Sequence, residues 1–99
     1  MYRGTTPTFK FTLPFEVGTL KAAYISIEQN RRVMLEKSIE ECTLSDKTIS
    51  VKLTQEETLK LLVQDQTKIQ LRVRLSDGSA LASQIFVIPT EGILKDGVI

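Results

Sequence analysis

Apolar and polar residues alternate along five stretches of the chain, and this alternation predicts β-strands. A period of two places every second side chain on one face, where it can enter a core, and leaves the others in solvent. Segments of polar or turn-forming composition separate the stretches at 14–18, 29–31, 45–47, 64–67 and 76–78. The spacing predicts about seven strands in a mostly β protein. The alternating apolar residues are Phe9, Phe11, Leu13, Ala23, Ile25, Ile27, Val33, Leu35, Ile49, Val51, Leu53, Ile69, Leu71, Val73 and Leu75.

The segment 48–62 starts with the strand alternation and then changes period without a Gly or Pro. Thr54 is followed three residues later by Glu57, which is the pattern of a helix capping box: the threonine side chain accepts a bond from the Glu57 N–H, and the glutamate side chain accepts one from the Thr54 N–H. The pattern predicts a helix of one or two turns, about Gln55 to Leu61. Its Leu59 and Leu62 are expected to close one end of the core.

A short helical turn at this position indicates how the chain passes between two sheets. In immunoglobulin-like sandwiches the chain crosses at such a point, between the fifth and sixth strands. The predicted fold is therefore an all-β, immunoglobulin-like β-sandwich of about seven strands, with one short helix between the fifth and sixth. No repeat, linker or charge block divides the chain, so residues 1–99 are predicted to form a single domain.

One conflict with that topology stays open. The segment 24–37 also fits a tight hairpin across Gln29, Asn30 and Arg31, with Ile27 opposite Val33 and Ile25 opposite Leu35. The immunoglobulin topology places these two strands in different sheets. The sandwich is therefore predicted more firmly than its strand order.

The last hairpin gives a register prediction. A two-residue turn at Asp77 and Gly78 would bury Gln84, whereas a three-residue loop over 76–78 pairs the apolar positions consistently. The pairs predicted from that loop are Val73 with Leu81, Leu71 with Ser83, and Ile69 with Ile85. The opposite face then carries Gln70, Arg72, Arg74, Gln84 and Phe86.

This outward face is the predicted interaction surface, because arginine and aromatic side chains are enriched at binding hot spots. The alternative is that a C-terminal segment, Ile93 and Leu94, covers Phe86 and that the arginines are only solvated.

The composition limits which binding partners and which cellular compartment are expected. Thirteen basic and twelve acidic residues give a formal charge of +1, so no net field favours nucleic acid or an anionic membrane. The single cysteine, Cys42, permits no internal disulfide and favours a cytoplasmic origin. No segment has the ~20 apolar residues of a membrane span or the apolar core of an export signal. We expect a soluble protein and, from the initial Met, a complete small reading frame.

The residue chemistry favours no enzyme. Histidine is absent, which removes the usual general base, the Ser-His and Cys-His pairs and the commonest zinc ligand. The adjacent carboxylates at 40–41 and 56–57 are interpreted as solvated turns and caps, and Cys42 as a structural thiol. No glycine-rich phosphate loop or calcium loop is present. We predict no catalytic, cofactor-binding or metal-binding residues, and no cofactor.

Three segments carry a family resemblance: RGTTPTFKFTLPF at 3–15, ISVKLTQEETLKL at 49–61 and QLRVRLSDGSALAS at 70–83. They resemble a family of small proteins encoded in prophages of Gram-positive bacteria. Family members are similar in their Thr-Thr-Pro-Thr opening, Leu-Thr-Gln-Glu stretch and Ala-Leu-Ala-Ser return strand. The strand pattern shows a looser similarity to the N-terminal immunoglobulin-like domains of phage baseplate upper proteins.

The resemblance implies a phage origin and a role in the virion or its assembly, and it carries over no catalytic or binding residue. The expected function is a non-enzymatic phage structural or assembly protein, a tail or baseplate type of interaction module. Its expected partners are other phage structural proteins or further copies of itself. We expect it in the bacterial cytoplasm during assembly or in the virion. The alternative is a prophage-encoded protein that either interacts with the host or regulates by binding nucleic acid.

Overall fold

Eight β-strands, one α-helix and two short 3₁₀ turns form the fold in the computed structural model, which describes residues 1–99. The 3₁₀ turns span Val17–Thr19 and Ile39–Glu41. The helix, α1, spans Gln55–Leu59. With five residues, α1 is far shorter than the ~20 residues of a membrane-spanning helix, and no helix in the structure is long and apolar enough to cross a membrane. The strands are β1 Thr8–Thr12, β2 Leu20–Gln29, β3 Arg32–Ser38, β4 Thr43–Ser45, β5 Thr48–Lys52, β6 Thr67–Leu75, β7 Ala80–Ala82 and β8 Phe86–Ile88.

The strands form two antiparallel sheets, which confirms the predicted all-β sandwich. The smaller sheet has the order β1-β5-β4, and the larger has β3-β2-β6, with β7 and β8 both paired to the far edge of β6. In immunoglobulin lettering, B, E and D share one sheet, C, F and G share the other, and variable-type domains add C′. Strands β1, β5 and β4 then correspond to B, E and D. Strands β3, β2, β6 and β7–β8 correspond to C′, C, F and G.

This correspondence removes the conflict over the first hairpin. Strands β2 and β3 do form a hairpin within one sheet, but they take the places of C and C′, which are neighbours. The helix lies between β5 and β6, where the chain leaves the smaller sheet for the larger one. Both the hairpin and the crossing helix are therefore compatible with the immunoglobulin-like arrangement.

The helix begins as predicted and ends two residues earlier. The Thr54 side chain accepts a hydrogen bond from the Glu57 N–H at 3.2 Å, and the Glu57 carboxylate accepts one from the Thr54 N–H at 2.9 Å. The predicted contribution of Leu62 to the core is wrong. Leu61 is fully buried instead, while Leu62 is exposed, because the chain turns tightly after α1 through a bond from the Leu61 N–H to the Thr58 carbonyl.

The core lies between the two sheets, where the alternating residues of both meet. Twelve buried apolar side chains form one cluster, and all but Leu13, Leu35 and Leu61 come from the central strands β2, β5 and β6 or their immediate ends. Such a contiguous cluster is the expected core of one small domain. Its members are Leu13, Ala23, Ile25, Ile27, Leu35, Ile49, Val51, Leu53, Leu61, Ile69, Leu71 and Val73.

The first hairpin has a tighter turn than predicted. Asn30 and Arg31 both have positive φ, at 51° and 63°, and Gln29 pairs directly with Arg32. The loop therefore has two residues and is of the type I′ kind, which suits the twist of the strands.

A register shift follows this turn within the β2–β3 hairpin, and Ile27 pairs with Leu35 rather than with Val33. Likewise, Ile25 pairs with Lys37 rather than Leu35. Lys37 therefore lies opposite Ile25 on the inner face of the sheet, and the shift takes Val33 off that face and exposes it.

The last hairpin follows the predicted register only as far as Ser83. Val73 pairs with Leu81, and the Ser83 N–H donates to the Leu71 carbonyl at 2.8 Å, as the three-residue loop requires. The Ser83 hydroxyl then accepts the Leu71 N–H at 3.0 Å, in place of the Ser83 backbone carbonyl that a regular pair would use. Pairing resumes one residue later, with Ile69 opposite Phe86 rather than Ile85. A one-residue slip reverses the face of every following side chain.

The two chain ends run side by side next to β8. The Glu91 N–H donates to the Met1 carbonyl at 2.7 Å, and the Arg3 N–H donates to the Glu91 carbonyl at 3.0 Å, which forms a short parallel bridge. The Arg3 side chain reaches the end of α1, where it donates to the carbonyls of Leu59 and Leu61 at 2.7 Å each. Residue 3 therefore ties the N-terminal segment to both the helix and the C-terminal segment.

Candidate interaction site

The structure divides the predicted interaction surface between two faces. Gln70, Arg72 and Arg74 lie on the outer face of the larger sheet, because their neighbours Ile69, Leu71 and Val73 point into the core. The slip at Ser83 places Phe86 on the inner face opposite Ile69. Gln84 is exposed and lies outside the strands. The prediction that Phe86 shares a face with the arginines is therefore wrong, because the serine side chain interrupts the ladder.

The C-terminal segment does not cover Phe86, which remains 40% exposed. Ile93 instead lies near Gly4 and Leu59, at the end of the molecule beside α1. The Leu94 side chain is fully exposed. The alternative prediction, in which Ile93 and Leu94 bury Phe86, is wrong for this reason.

The outer face of the larger sheet presents two unpaired cations beside an aromatic ring. Arg72 pairs across the sheet with Tyr24 on β2 and with Ala82 on β7, and Arg74 pairs with Ala22 and Ala80. The small alanine side chains leave a shallow depression of about 250 Å³ around Tyr24 and the arginines. No carboxylate lies within 4.0 Å of either guanidinium. The depression thus combines two cations with an aromatic ring and small apolar side chains.

Acidic residues on the same sheet face limit how far that cationic surface extends. Glu36 lies opposite Ser26, in the row next to that of Arg72, and Glu28 lies opposite Lys68 one row further along. A polyanion lying along the whole face would therefore meet carboxylates as well as guanidinium groups.

An apolar cleft opens on the side of the sandwich where β1 and β8 face each other across the two sheets. Its volume is about 470 Å³, within the ~300–1,000 Å³ that ligand-binding clefts usually have. The rings of Phe11 and Phe86 meet across it, with centroids 6.2 Å apart and planes inclined at 58°. Its lining residues are Phe9, Lys10, Phe11, Thr12, Leu13, Ile69, Leu71, Ser83, Phe86, Val87 and Ile88.

The β1 edge of this cleft carries unpaired backbone groups. The Leu13 N–H donates to the Lys47 carbonyl at 2.7 Å, and the Leu53 N–H donates to the Pro7 carbonyl at 3.0 Å, so the odd-numbered residues of β1 bond to β5. Hydrogen-bonded positions alternate in antiparallel pairs. The N–H and C=O groups of Thr8, Lys10 and Thr12 therefore point away from β5, towards the open side.

The segment from β7 to β8, which borders the cleft, exposes a run of large apolar side chains. Leu81, Ile85, Phe86 and Val87 are each at least 40% exposed and lie within seven residues of one another. A second depression of about 280 Å³ continues the cleft past Phe15, Leu81 and Ala82. Exposed apolar side chains that cluster beside a groove are typical of protein–protein contact sites. This side of the molecule, from β1 to β7–β8, is hereafter called the seam.

A separate group of charged side chains joins β3 to the helix. The Lys37 ammonium lies 2.5 Å from a Glu57 carboxylate oxygen and 3.4 Å from one of Glu41. Burial works to lower the pKa of Lys37, but its bonds to Glu57 and Glu41 outweigh burial and raise it. Burial works to raise the pKa of Glu57. The hydrogen bonds that its carboxylate accepts from Lys37 and from the Thr54 N–H outweigh burial, so the pKa of Glu57 is lowered. Each charge is stabilised by its partner, so the group holds two elements together.

The adjacent carboxylates act largely as caps, as the sequence predicted. Glu41 accepts a hydrogen bond from the Ser38 N–H at 3.1 Å at the start of the second 3₁₀ turn, and this bond lowers its pKa. The Cys42 thiol is half-buried and donates to the Ser38 carbonyl at 3.3 Å. Burial raises the pKa of Cys42, which disfavours the reactive thiolate.

No group of three or more His, Cys, Asp or Glu side chains is placed to hold a metal ion. Sequence reasoning missed two features of the surface: the pairing of Tyr24 with Arg72, and the open edge of β1. The alternation around Phe9 and Phe11 predicts a strand with one buried face, but it contains no signal for which of its two edges is paired. Comparisons with protein-family models, with curated proteins and with solved structures each return no match.

Proposed function

We propose that this protein is a non-enzymatic structural or assembly protein of a bacteriophage, an interaction module of the tail or baseplate type that binds other proteins through its seam. The observation that carries the proposal is the apolar cleft at the seam, flanked by exposed Leu81, Ile85, Phe86 and Val87. The phage setting rests on the resemblance of segments 3–15, 49–61 and 70–83 to small prophage-encoded proteins. The partners are other phage structural proteins or further copies of the chain, met in the bacterial cytoplasm and retained in the particle.

The exposed apolar side chains of the seam can offset much of the free-energy cost of association. Fully burying one large aliphatic or aromatic side chain stabilises by about 1.5–3 kcal/mol. The four exposed side chains at the seam are only partly buried in the free protein, so much of that stabilisation is available to a partner. Their joint burial is comparable to the ~4–15 kcal/mol that two proteins lose in translational and rotational freedom on binding. A partner must therefore cover most of the seam.

The proposal is tested in a lysogen whose prophage encodes the chain. After induction, particles are purified on a density gradient and the chain is quantified by mass spectrometry, and particle yield is compared between wild type and a deletion strain. We expect either a fixed copy number per particle or a loss of complete particles on deletion. A chain absent from particles whose deletion leaves the yield unchanged would overturn the proposal.

A second candidate function follows from Tyr24 and the unpaired Arg72 and Arg74: a regulatory protein that binds single-stranded nucleic acid. An aromatic ring flanked by cations is the usual stacking platform for bases. Glu28 and Glu36 on the same face oppose a long backbone track, which is why this function ranks second. Fluorescence anisotropy with a labelled oligonucleotide decides it: binding must weaken with salt and be lost in Tyr24→Ala. Salt-independent or absent binding excludes it.

A further inference from the structure

We propose that the seam accepts one extended strand of a partner protein, which pairs with the open edge of β1 and inserts alternate apolar side chains into the cleft, with an Asp or Glu opposite Lys10. This inference deepens the proposed function, since it names how the module binds and what the partner's segment looks like. Its partner is a different protein, and the recognised segment has the pattern apolar–acidic–apolar.

The backbone of β1 is arranged for such pairing. Thr8, Lys10 and Thr12 direct their N–H and C=O groups to the open side, and this β1 edge has no neighbouring strand. Antiparallel or parallel addition of a strand to an exposed edge is a general mode of peptide recognition, with affinity from main-chain bonds and specificity from alternate side chains. In constant-type immunoglobulin sandwiches the position beside B, here β1, is held by a strand of the same sheet. The incoming segment would complete the smaller sheet at that position.

The cleft supplies the side-chain specificity. A strand paired with β1 alternates its side chains between the solvent and the space between the sheets. On the inner side they would contact Phe9 and Phe11 from β1 and Phe86 and Ile88 from β8. These walls are apolar, so the inward residues must be apolar too. The N-terminal segment closes one end of the seam through its bonds from Met1 to Pro89 and from Arg3 to Glu91, which limits the length of the inserted strand.

Lys10 disfavours the simplest alternative occupant, the β1 strand of a second copy. Two β1 strands that overlap fully in antiparallel register place Lys10 directly opposite Lys10, and like charges in that position are destabilising. A lysine in the middle of an open edge is a common protection against such self-pairing. The same ammonium, exposed and without a carboxylate within 4.0 Å, attracts an acidic residue. The charge at Lys10 therefore selects a different chain with Asp or Glu at the facing position.

The test uses synthetic peptides of about seven residues, a usual strand length, in which Ile alternates with Thr and the central polar residue is Asp or Lys. Each peptide is titrated into the ¹⁵N-labelled full chain, and amide shifts are followed. We expect the Asp peptide to shift Thr8, Lys10 and Thr12 and to bind about two- to fivefold tighter than the Lys peptide. Lys10→Glu should reverse that order, while Lys52→Glu, on the neighbouring strand β5, should not.

A proline variant tests the backbone bonds. Because the Thr12 N–H faces the open edge, Thr12→Pro should keep the thermal midpoint within a few degrees yet weaken the Asp peptide at least tenfold. If Thr12→Pro fails to fold, the Lys10→Glu reversal still decides. Absence of shifts with every peptide, or shifts confined to Tyr24, Arg72 and Arg74, would overturn the inference. Peptide binding at β1 with no effect in the particle experiment would instead refute the phage role and leave the strand mode standing.

Discussion

Gly4 is a single residue whose conformation connects both ends of the chain. Its φ of +72° lies in the left-handed region, and a Cβ there would lie 2.9 Å from Ile93 Cδ1 and 3.2 Å from Leu59 Cδ2. Gly78 has a similar φ of +91° but no atom within 4 Å of the added carbon. The two glycines therefore share the backbone requirement and differ in crowding.

We expect Gly4→Ala to destabilise the fold more than Gly78→Ala. The left-handed conformation costs about 1–2 kcal/mol for alanine at both sites. At residue 4, displacement of the Ile93 side chain from its rotamer adds about 0.5–1.5 kcal/mol. Urea unfolding of both variants measures the difference. Equal losses of stability would show that the terminal segment gives way without cost.

Arg31 is a non-glycine residue at the second position of the β2–β3 turn, with φ of 63°. Glycine adopts this conformation without strain, so Arg31→Gly should raise the free energy of unfolding. Relief of about 1–2 kcal/mol is offset by about 0.4–1 kcal/mol from the more flexible unfolded chain. Asn30→Gly is the matched control and should gain less, because asparagine tolerates this region. A destabilised Arg31→Gly would mean that the arginine side chain stabilises the hairpin.

Between elements, the contact of β3 with α1 depends on a charge pair that the sequence did not reveal. The predicted register put Leu35 opposite Ile25, and the observed shift puts Lys37 there instead. The buried ammonium then meets Glu57, which also caps the helix. The periodicity predicted both elements correctly. It could not reveal the pair, because the contact joins two elements that are distant in sequence, and such a contact has no local signal.

Glu57→Gln isolates the charge from the cap, because glutamine can still accept the Thr54 N–H. At neutral pH we expect a loss of about 1–3 kcal/mol, the range for removing a charged partner from a buried group. Glu56→Gln, on the exposed side of α1, is the control and should change stability little. Urea unfolding at pH 7 measures both variants.

The pH dependence of that difference has a definite sign. The pKa of Glu57 is lowered in the folded protein, so its stabilisation is present above the ordinary glutamate pKa of about 4.3 and is lost as the pH falls through the lower, folded value. The difference between wild type and Glu57→Gln should therefore shrink as the pH is lowered below about 4. A difference that stays constant down to pH 2 would contradict the charge pair.

For the molecule as a whole, alternation and the capping box were sufficient to predict the sandwich, the crossing helix and the core strands. The candidate site was less predictable for a physical reason. The faces of Gln70, Arg72 and Arg74 follow from strand period alone, whereas the face of Phe86 depends on the Ser83 hydroxyl taking one ladder bond. The open edge of β1 depends on which strands pair across the chain, and such long-range pairing has no local signal.

Arg3 shows how the ends of the chain contribute to the stability of the whole molecule. Its side chain donates to the carbonyls of Leu59 and Leu61, and its N–H donates to the Glu91 carbonyl. The carbonyls at the end of a helix have no partner within it, and a cation there is also favoured by the helix dipole. The ion pair with Asp96, at 3.7 Å and largely exposed, adds little.

We expect Arg3→Ala to destabilise the fold by about 1.5–3 kcal/mol, the range for hydrogen bonds that involve a charged group. The loss should also reach the C-terminal segment. The Glu91 amide, which donates to the Met1 carbonyl, should exchange its hydrogen faster because the Arg3 side chain no longer bonds residues 1–3 to the end of α1.

Arg3→Lys should restore part of the stability, since an ammonium can reach one carbonyl but lacks the planar guanidinium that reaches two. Arg32→Ala, at an exposed edge position, is the control. Hydrogen exchange followed by NMR decides between a local and a global role. If Arg3→Ala lowers the unfolding free energy while protection at Glu91 relative to the core amides is unchanged, Arg3 stabilises the helix end alone and the chain ends are held by their backbone bonds.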